Sequence, residues 1–478
     1  MFGGLKKSAS RMAIVAAAGT MMTGTAFAAD LGGDCCADLE ERVAELEATT
    51  ARKGNRKVSL TISGQVNRTM MYWNDGGKSN TFFGLDNTNS SSRFGLSGSA
   101  KISPTLSAGY NMLIEVTDKA RTVNANQNSE DGGSRSVQGA SGDHLLQMRD
   151  ATIWMESSSL GRLTMGRLTN SGHPGVIDLG GASVIAPGTV LIGNGIRLRD
   201  SNGNLTSLNI GGVTDGVADF GYRMEGIKYT TPTFAGFVAN ASIGESLKAQ
   251  SNGITGLAGD RLYNGQVYGA NLLYAGEFSG IRLAAGVGYE RSELDSGPNT
   301  NGGSGNNLQQ RVQNYGGSLS GLHVPTGLFL QGDYFVTKRG AVNSLDATNN
   351  PVYSADVEAR RFIIQGGISQ NFFGPGKTVL FGEYGRHTNW AEANAQASTL
   401  NAATATVVTA GGTNTFFGLG AVQNFDAAAL ELYAGWRRYS TTDTTAVLTL
   451  NGAVAPAASA TYTLKDVDIV AAGARIKF

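Results

Sequence analysis

The chain has 478 residues, of which 67 are glycine and 9 proline, and its 38 basic and 38 acidic side chains cancel to zero net charge. With 41% hydrophobic and 16% charged residues, this composition excludes charge-driven disorder, collagen and a strongly basic nucleic-acid binder; two cysteines exclude a disulfide scaffold. Past residue 30 there is no apolar run of 18 or more, so no membrane-crossing helix is expected; the alternating strands of a membrane barrel would leave no such run.

Lys6, Lys7 and Arg11 form a basic start, Met12 to Met22 is apolar, and Ala26-Phe27-Ala28 offers small residues at −3 and −1. This is the pattern of a secretory signal, with cleavage expected after Ala28 and residues 1–28 removed. Cys35 and Cys36 are adjacent; they either cross-link neighbouring subunits or are two thiols of a tail. From Asp38 to Arg52, Leu39, Val43, Leu46 and Thr50 recur at spacings of 4, 3 and 4, with Glu40, Glu41, Glu45 and Glu47 off that stripe. The spacing predicts a short helix within residues 29–57, either a coiled-coil seam between tethered copies or an amphipathic surface helix.

From residue 58 the period changes to two: Val58, Leu60, Ile62, Gly64 and Val66 alternate with Ser59, Thr61, Ser63, Gln65 and Asn67. Such runs continue at 92–102, 105–117, 145–156, 161–169, 222–231, 234–244, 265–275, 280–291, 311–322, 327–338, 358–370, 376–388, 414–424, 427–440 and 465–478. Most hold about 10 to 14 residues, longer than an ordinary globular strand and enough for a tilted strand to cross a bilayer core. The connections alternate. Short ones lie near Pro104, Ser158, Pro232, Gly276, Pro325, Gly374 and Asp426, and long ones at 74–91, 118–144, 170–221, 245–264, 292–310, 339–357, 389–413 and 441–464. A sandwich has no reason to lengthen every second loop, whereas a membrane barrel does, with tight turns on one side. An even count of about sixteen strands follows, with both chain ends on the short-turn side.

Tyr72, Trp73, Phe82, Phe83, Phe234, Phe237, Tyr274, Phe278, Phe372, Phe373, Phe425, Trp436 and Tyr439 fall near strand ends, where interfacial girdles place aromatic rings. The last strand alternates and ends on Phe478, similar to the terminal strand by which outer-membrane barrels are recognised for assembly.

Three motifs carry a resemblance. Ser92-Arg93-Phe94-Gly95-Leu96-Ser97-Gly98 resembles the second-strand pattern S-R-[FL]-G-[FL]-x-G of Gram-negative general porins of the kind found in alphaproteobacteria. Arg149-Asp150-Ala151-Thr152-Ile153-Trp154-Met155 is similar to the family's fourth strand, departing from it at Thr152 and Trp154, and Leu160 to Arg167 resembles its fifth. The resemblance implies an all-β fold: a 16-stranded antiparallel transmembrane β-barrel at 58–478, with long extracellular loops, an inward-folded third loop at about 170–221, and a short N-terminal periplasmic helix. It implies a homotrimer of open diffusion pores in the outer membrane, with outer-membrane lipids and lipopolysaccharide around it and the barrel assembly machinery engaging Phe478.

The candidate constriction follows. Arg93, Arg149 and Arg167 stand where the family presents a basic wall opposite the third loop; Asp178 falls early in that loop, and Gln65 occupies a first-strand position where enteric porins often carry lysine. Fixed charges of opposite sign across a narrow wet gap set ion preference. Asp200, Asp215, Asp219, Arg162, Arg197 and Arg199 are further candidates. His144, His173, His323 and His387 have no metal-ligand spacing, and no nucleophile elbow or Walker loop is present, so no enzyme, cofactor, metal or nucleic-acid role is expected. The function expected is passive diffusion of small hydrophilic solutes and ions. The alternatives are a substrate-specific channel for sugars or anions, or an outer-membrane adhesin or structural protein.

Overall fold

In the computed structural model the described residues are 58–87, 90–116, 125–128, 146–175, 177–185, 195–210, 223–246, 266–295, 309–345, 351–353, 357–388, 397–399, 405–409, 412–442, 444–450 and 453–478. The expected signal, the heptad stripe and Cys35 and Cys36 lie outside them.

Sixteen barrel strands run in order: β1 (Thr61–Asn74), β2 (Arg93–Lys101), β3 (Leu106–Val116), β4 (Leu146–Ser157), β5 (Gly161–Thr169), β6 (Arg223–Thr230), β7 (Phe237–Ser246) and β8 (Gln266–Phe278). They continue as β9 (Ile281–Asp295), β10 (Gln309–His323), β11 (Leu328–Leu345), β12 (Val357–Gln370), β13 (Thr378–Thr388), β14 (Thr413–Phe425), β15 (Leu430–Thr442) and β16 (Val467–Lys477). Every neighbouring pair is antiparallel, and β1 closes the barrel on β16 from Gln65↔Lys477 to Asn74↔Asp468. Closure extends to the last residue: Gly64 N–H donates to the Phe478 carbonyl at 2.8 Å, and Phe478 N–H to that of Gly64 at 3.0 Å. A closed sheet leaves no edge whose backbone groups would go unpaired in lipid.

The short turns explain the tight side. Ala235-Gly236 and Ser279-Gly280 have positive φ at both central positions, 49° and 88°, and 48° and 78°. Consecutive left-handed residues match the twist of the strands that a two-residue turn joins.

The alternation of the sequence becomes an inside and an outside. On β1, Ile62, Val66, Met70 and Tyr72 are exposed to the bilayer, whereas Gln65, Asn67, Thr69, Met71 and Trp73 are buried in the lumen. Tyr229, Phe234, Phe237, Phe278, Phe372, Phe373 and Phe417 lie exposed on the outer wall. Trp73, Phe82 and Tyr439 do not join a girdle; they face inward at 3%, 3% and 1% exposure.

The long connections are more structured than their composition indicates. Ser79–Asp86 forms a strand that pairs with the upper half of β1, Arg68↔Asp86 to Asn74↔Ser79, and leaves β2 to pair with the lower half. Segments of the last two long connections form a separate four-stranded sheet, Ala397–Thr399, Ala405–Thr409, Thr444–Leu450 and Ala453–Tyr462. The third contributes a small hairpin of Arg197–Arg199 and Leu205–Asn209.

Candidate pore constriction

The third long connection leaves β5 and lies along the inner wall. Ser171 N–H donates to Ser242 Oγ on β7 at 2.8 Å, Asn271 Nδ2 on β8 donates to the His173 carbonyl at 3.1 Å, and Ser318 Oγ on β10 donates to that of Gly175 at 2.6 Å. Leu179 N–H then donates to Ser320 Oγ at 3.2 Å. Glycine makes room where the loop passes β8 and β9. A Cβ at Gly269 would stand 1.7 Å from Asn170 Oδ1, and one at Gly288 2.0 Å from the Gly172 carbonyl oxygen. Beyond this, Ala182, Val184 and Ile185, with Ile196, Leu198, Leu208 and Ile210, join a buried cluster with inward Met71, Trp73, Phe329, Phe381, Phe416 and Tyr439. Each large apolar side chain buried this way contributes roughly 1.5–3 kcal/mol, which holds the loop inside the barrel.

His173 stacks on Phe335 at 5.3 Å, and the Arg361 guanidinium lies 4.7 Å from the same ring while donating to Asp333 at 2.9 Å. Burial, aided by the nearby Arg361 charge, lowers the His173 pKa to about 3, so this anchor stays neutral at ordinary pH.

A polar belt supports the loop's acid. Gln331 on β11 donates through Nε2 to Asp178 Oδ1 at 3.2 Å and to Gln365 Oε1 at 2.5 Å; Gln365 donates to Glu383 at 3.4 Å, and Arg437 Nε donates to Glu383 at 2.6 Å. Asp178 also accepts from Gly181 N–H and Ser183 N–H, each at 2.7 Å. Burial raises the Asp178 pKa and outweighs these bonds, which oppose the rise.

The basic wall is on the other side. Arg93 sits in register with Gln65 on β1 and Glu115 on β3, and its charged neighbours are Arg149, Glu115, Arg475 and Arg223. A bulge in β4 leaves Arg149 as an extra residue, with Met148 opposite Ile114 and Asp150 opposite Leu113. The bulge turns consecutive residues to the lumen: Arg149 meets Glu115 at 3.0 Å and Asp150 meets Arg223 at 3.1 Å. Glu115 also accepts from Ser91 Oγ. The arginines of β2 and β4 are nine and seven strands from β11, close to half-way round a ring of sixteen, so they stand across the lumen from Asp178.

The remaining sequence candidates divide. Gln65 faces inward but is committed to an inward segment, donating to the Ser90 carbonyl at 3.1 Å, Ser90 Oγ at 2.8 Å and the Ser91 carbonyl at 2.8 Å. Arg167 alternates in step with the outward Leu163 and Met165 and pairs with Ala151 and Glu225, while its charge lies close enough to act on Arg223, a neighbour of Arg93. Arg162 faces inward, bound to Glu156 at 2.5 Å and lying 4.4 Å from the Trp154 ring. Arg199 lies at the mouth, paired with Asp75, and Asp200 accepts from Asn204 N–H at 2.7 Å. Asp215, Asp219 and His144 lie outside the described residues. His323 bonds Thr326 Oγ1 at 2.7 Å, and His387 lies beside Phe416, away from His323.

Sequence reading missed Glu115, Asp150, Arg223, Arg475, Gln331, Gln365, Glu383 and Arg437. Glu383 and Arg437 were findable, because they share parity with inward Phe381 and Tyr439.

A closed, lipid-faced barrel with a loop folded into a charged lumen defines an outer-membrane channel protein. Residues 13–444 match the model of the Gram-negative porin family, and the chain belongs to that family. It is a passive channel of the Gram-negative outer membrane. Among solved structures it is similar to the anion-selective porin from Comamonas acidovorans, at 17% identity and TM-score 0.50 over 88% of this chain and 100% of that one. It is also similar to OmpT, an outer membrane protein of Vibrio cholerae, at 14% identity and TM-score 0.48 over 89% and 99%. The first likeness establishes the barrel fold. No curated protein sequence matches the chain.

Proposed function

We propose that the chain is a general porin, a water-filled pore for small hydrophilic solutes and ions whose constriction lies between the third loop and the β2–β4 wall. The observation that carries this reading is Asp178 held on β11 opposite Arg93 and Arg149. Charge of opposite sign across the gap orients polar solutes, and only groups within about 8 Å of the path act strongly at physiological salt.

Along the wall that the loop leaves uncovered, inward Arg93, Arg149, Arg162, Lys228, Arg475 and Lys477 outnumber Glu115, Asp150, Glu156 and Glu431. A modest preference for anions follows. No gradient, cofactor or catalytic step enters this function. Residues 1–28 act as an export signal, residues 29–57 form the periplasmic segment, and the working unit is a homotrimer. The C-terminal strand ending in Phe478 serves barrel assembly.

The test is single-channel conductance and reversal potential in planar bilayers under a salt gradient. Ohmic conductance in steps of three with an anion-directed potential is expected. Small conductance blocked by one sugar or anion would favour a specific channel, and a folded barrel without conductance would overturn the reading.

A further inference from the structure

The outer wall carries a feature that diffusion through the lumen does not use. A cavity of about 330 Å³ opens between β11, β12 and β13, lined by Tyr334, Arg360, Arg361, Phe362, Arg386 and Thr388. Phe362 pairs with Tyr334 on one side and Arg386 on the other, and Arg360 pairs with Thr388. Phe362 and Tyr334 are exposed outward at 43% and 48%, and Arg360 and Arg386 are exposed in step with them.

The height of the site matters as much as its charge. Arg360 lies three residues below the long-loop end of β12 and Arg386 two residues below that of β13. Towards the short turns, the same face carries exposed Tyr384, Ile364 and Leu380. Apolar side chains lie nearest the short turns, Phe362 and Tyr334 come next in register with Arg386, and Arg360 stands two residues nearer the long loops, an order that follows a lipid from acyl chain to headgroup. An outward cation costs about 2–4 kcal/mol at the bilayer midplane and little near the interface. Cations outnumber acids here: Glu358 meets Arg360 at 2.6 Å and Lys338 at 3.3 Å, and among the described residues Arg386 has no ion-pair partner.

We propose that this cavity binds the phosphate headgroup of an amphiphile in the surrounding leaflet. Arg360 and Arg386 hold the phosphate, and Phe362 and Tyr334 pack against the lipid below it. A guanidinium fork matches two phosphate oxygens at once, and an opening onto the acyl-chain face selects a lipid over a free anion.

The test uses the full-length protein, delipidated in detergent, and three probes: lipid A carrying its phosphates, the same lipid with the phosphates removed, and inorganic phosphate in excess. The expected result is lipid A binding that weakens about tenfold on dephosphorylation and about tenfold in Arg360→Ala/Arg386→Ala, with partial recovery in the double lysine variant. Arg386→Gln, at an exposed position, gives the same direction should the double variant fail to fold. Heat-modifiable migration and conductance stay unchanged in both variants, so failure here is distinct from failure of the channel reading. Equal binding by wild type and variants, equal binding of the dephosphorylated lipid, or full competition by inorganic phosphate would each overturn the proposal.

Discussion

Arg199 grips Asp75 with two hydrogen bonds, Nε to Oδ1 at 3.1 Å and Nη2 to Oδ2 at 2.7 Å, across 124 residues of sequence. Asp75 caps the turn between β1 and the Ser79–Asp86 strand, accepting from Gly77 N–H and Lys78 N–H. Gln127 of the second connection donates to Asp75 Oδ2 at 3.1 Å, and Lys465 N–H of the eighth donates to the Arg199 carbonyl at 2.8 Å. Four of the long connections therefore converge on one ion pair.

Replacing Asp75 with Asn is expected to loosen the Arg197–Asn209 hairpin by about 1.5–3 kcal/mol, the value of a hydrogen bond to a charged group. Amide exchange over residues 197–209 measures this, and the barrel strands should keep their protection. Acid should mimic the substitution. Burial opposes ionisation of Asp75, but the hydrogen bonds from Arg199, Lys78, Gln127 and Gly77 outweigh it and hold its pKa below the usual value of 3.8. A depressed carboxylate stabilises the fold above its unfolded pKa and loses that contribution as pH falls through the folded one. The hairpin should therefore be unaffected down to about pH 4 and loosen only below it.

The wall opposite Asp178 makes a second prediction. Arg93→Gln with Arg149→Gln should shift the reversal potential towards cations, and Glu115→Gln should shift it towards anions. A unit charge about 4 Å from an ion's path is worth about 1 kcal/mol in water, roughly fivefold in permeability ratio. The shift should shrink at 1 M salt, where screening acts within about 3 Å. Arg167→Gln should change selectivity less than either, since its register is with the outer wall.

Asp178 sets the pH dependence of the pore. Burial raises its pKa, so on acidification it loses its charge ahead of an ordinary carboxylate. The sign for stability is opposite to that of Asp75: ionisation opposes loop docking above the folded pKa, and docking tightens as pH falls through it. Anion preference should therefore rise on acidification before surface carboxylates titrate, and this early rise should be missing in Asp178→Asn. A reversal-potential titration of both proteins checks it.

The barrel was legible because its signal is redundant. Strand 161–169 read from alternation is β5 residue for residue, and 414–424 lies one residue inside β14 at each end. The Ser79–Asp86 strand escaped because Ser-Asn-Thr-Phe-Phe-Gly-Leu-Asp does not alternate; its pairing comes from the β1 edge it meets. Asp178 was legible as a loop acid, but its binding by Gly181 and Ser183 of its own turn, and by Gln331 from 153 residues away, was not. The bulge at Arg149 illustrates the same limit: alternation fixes which face a residue takes only while register holds, and one extra residue turned Arg149 and Asp150 the same way.

The docking of the third loop supplies the last prediction. Gly288 faces the lumen, and a Cβ there would meet the Gly172 carbonyl oxygen at 2.0 Å and Pro174 Cδ at 2.9 Å. The first contact is with backbone, so no side-chain rotation relieves it. Either β9 or the loop must move, and β9 is tied along its length to β8 and β10 by fifteen residues of register on one side. The loop is the weaker partner, because its first leg is held by a few side-chain hydrogen bonds, at Ser242, Asn271 and Ser318. Gly288→Leu should therefore leave a heat-modifiable barrel and displace the loop. Conductance should rise and the effect of Asp178→Asn on selectivity should fade, because the acid no longer faces the arginines. Unchanged conductance and an undiminished Asp178 effect would mean that the loop at residues 172–174 does not set the width of the pore.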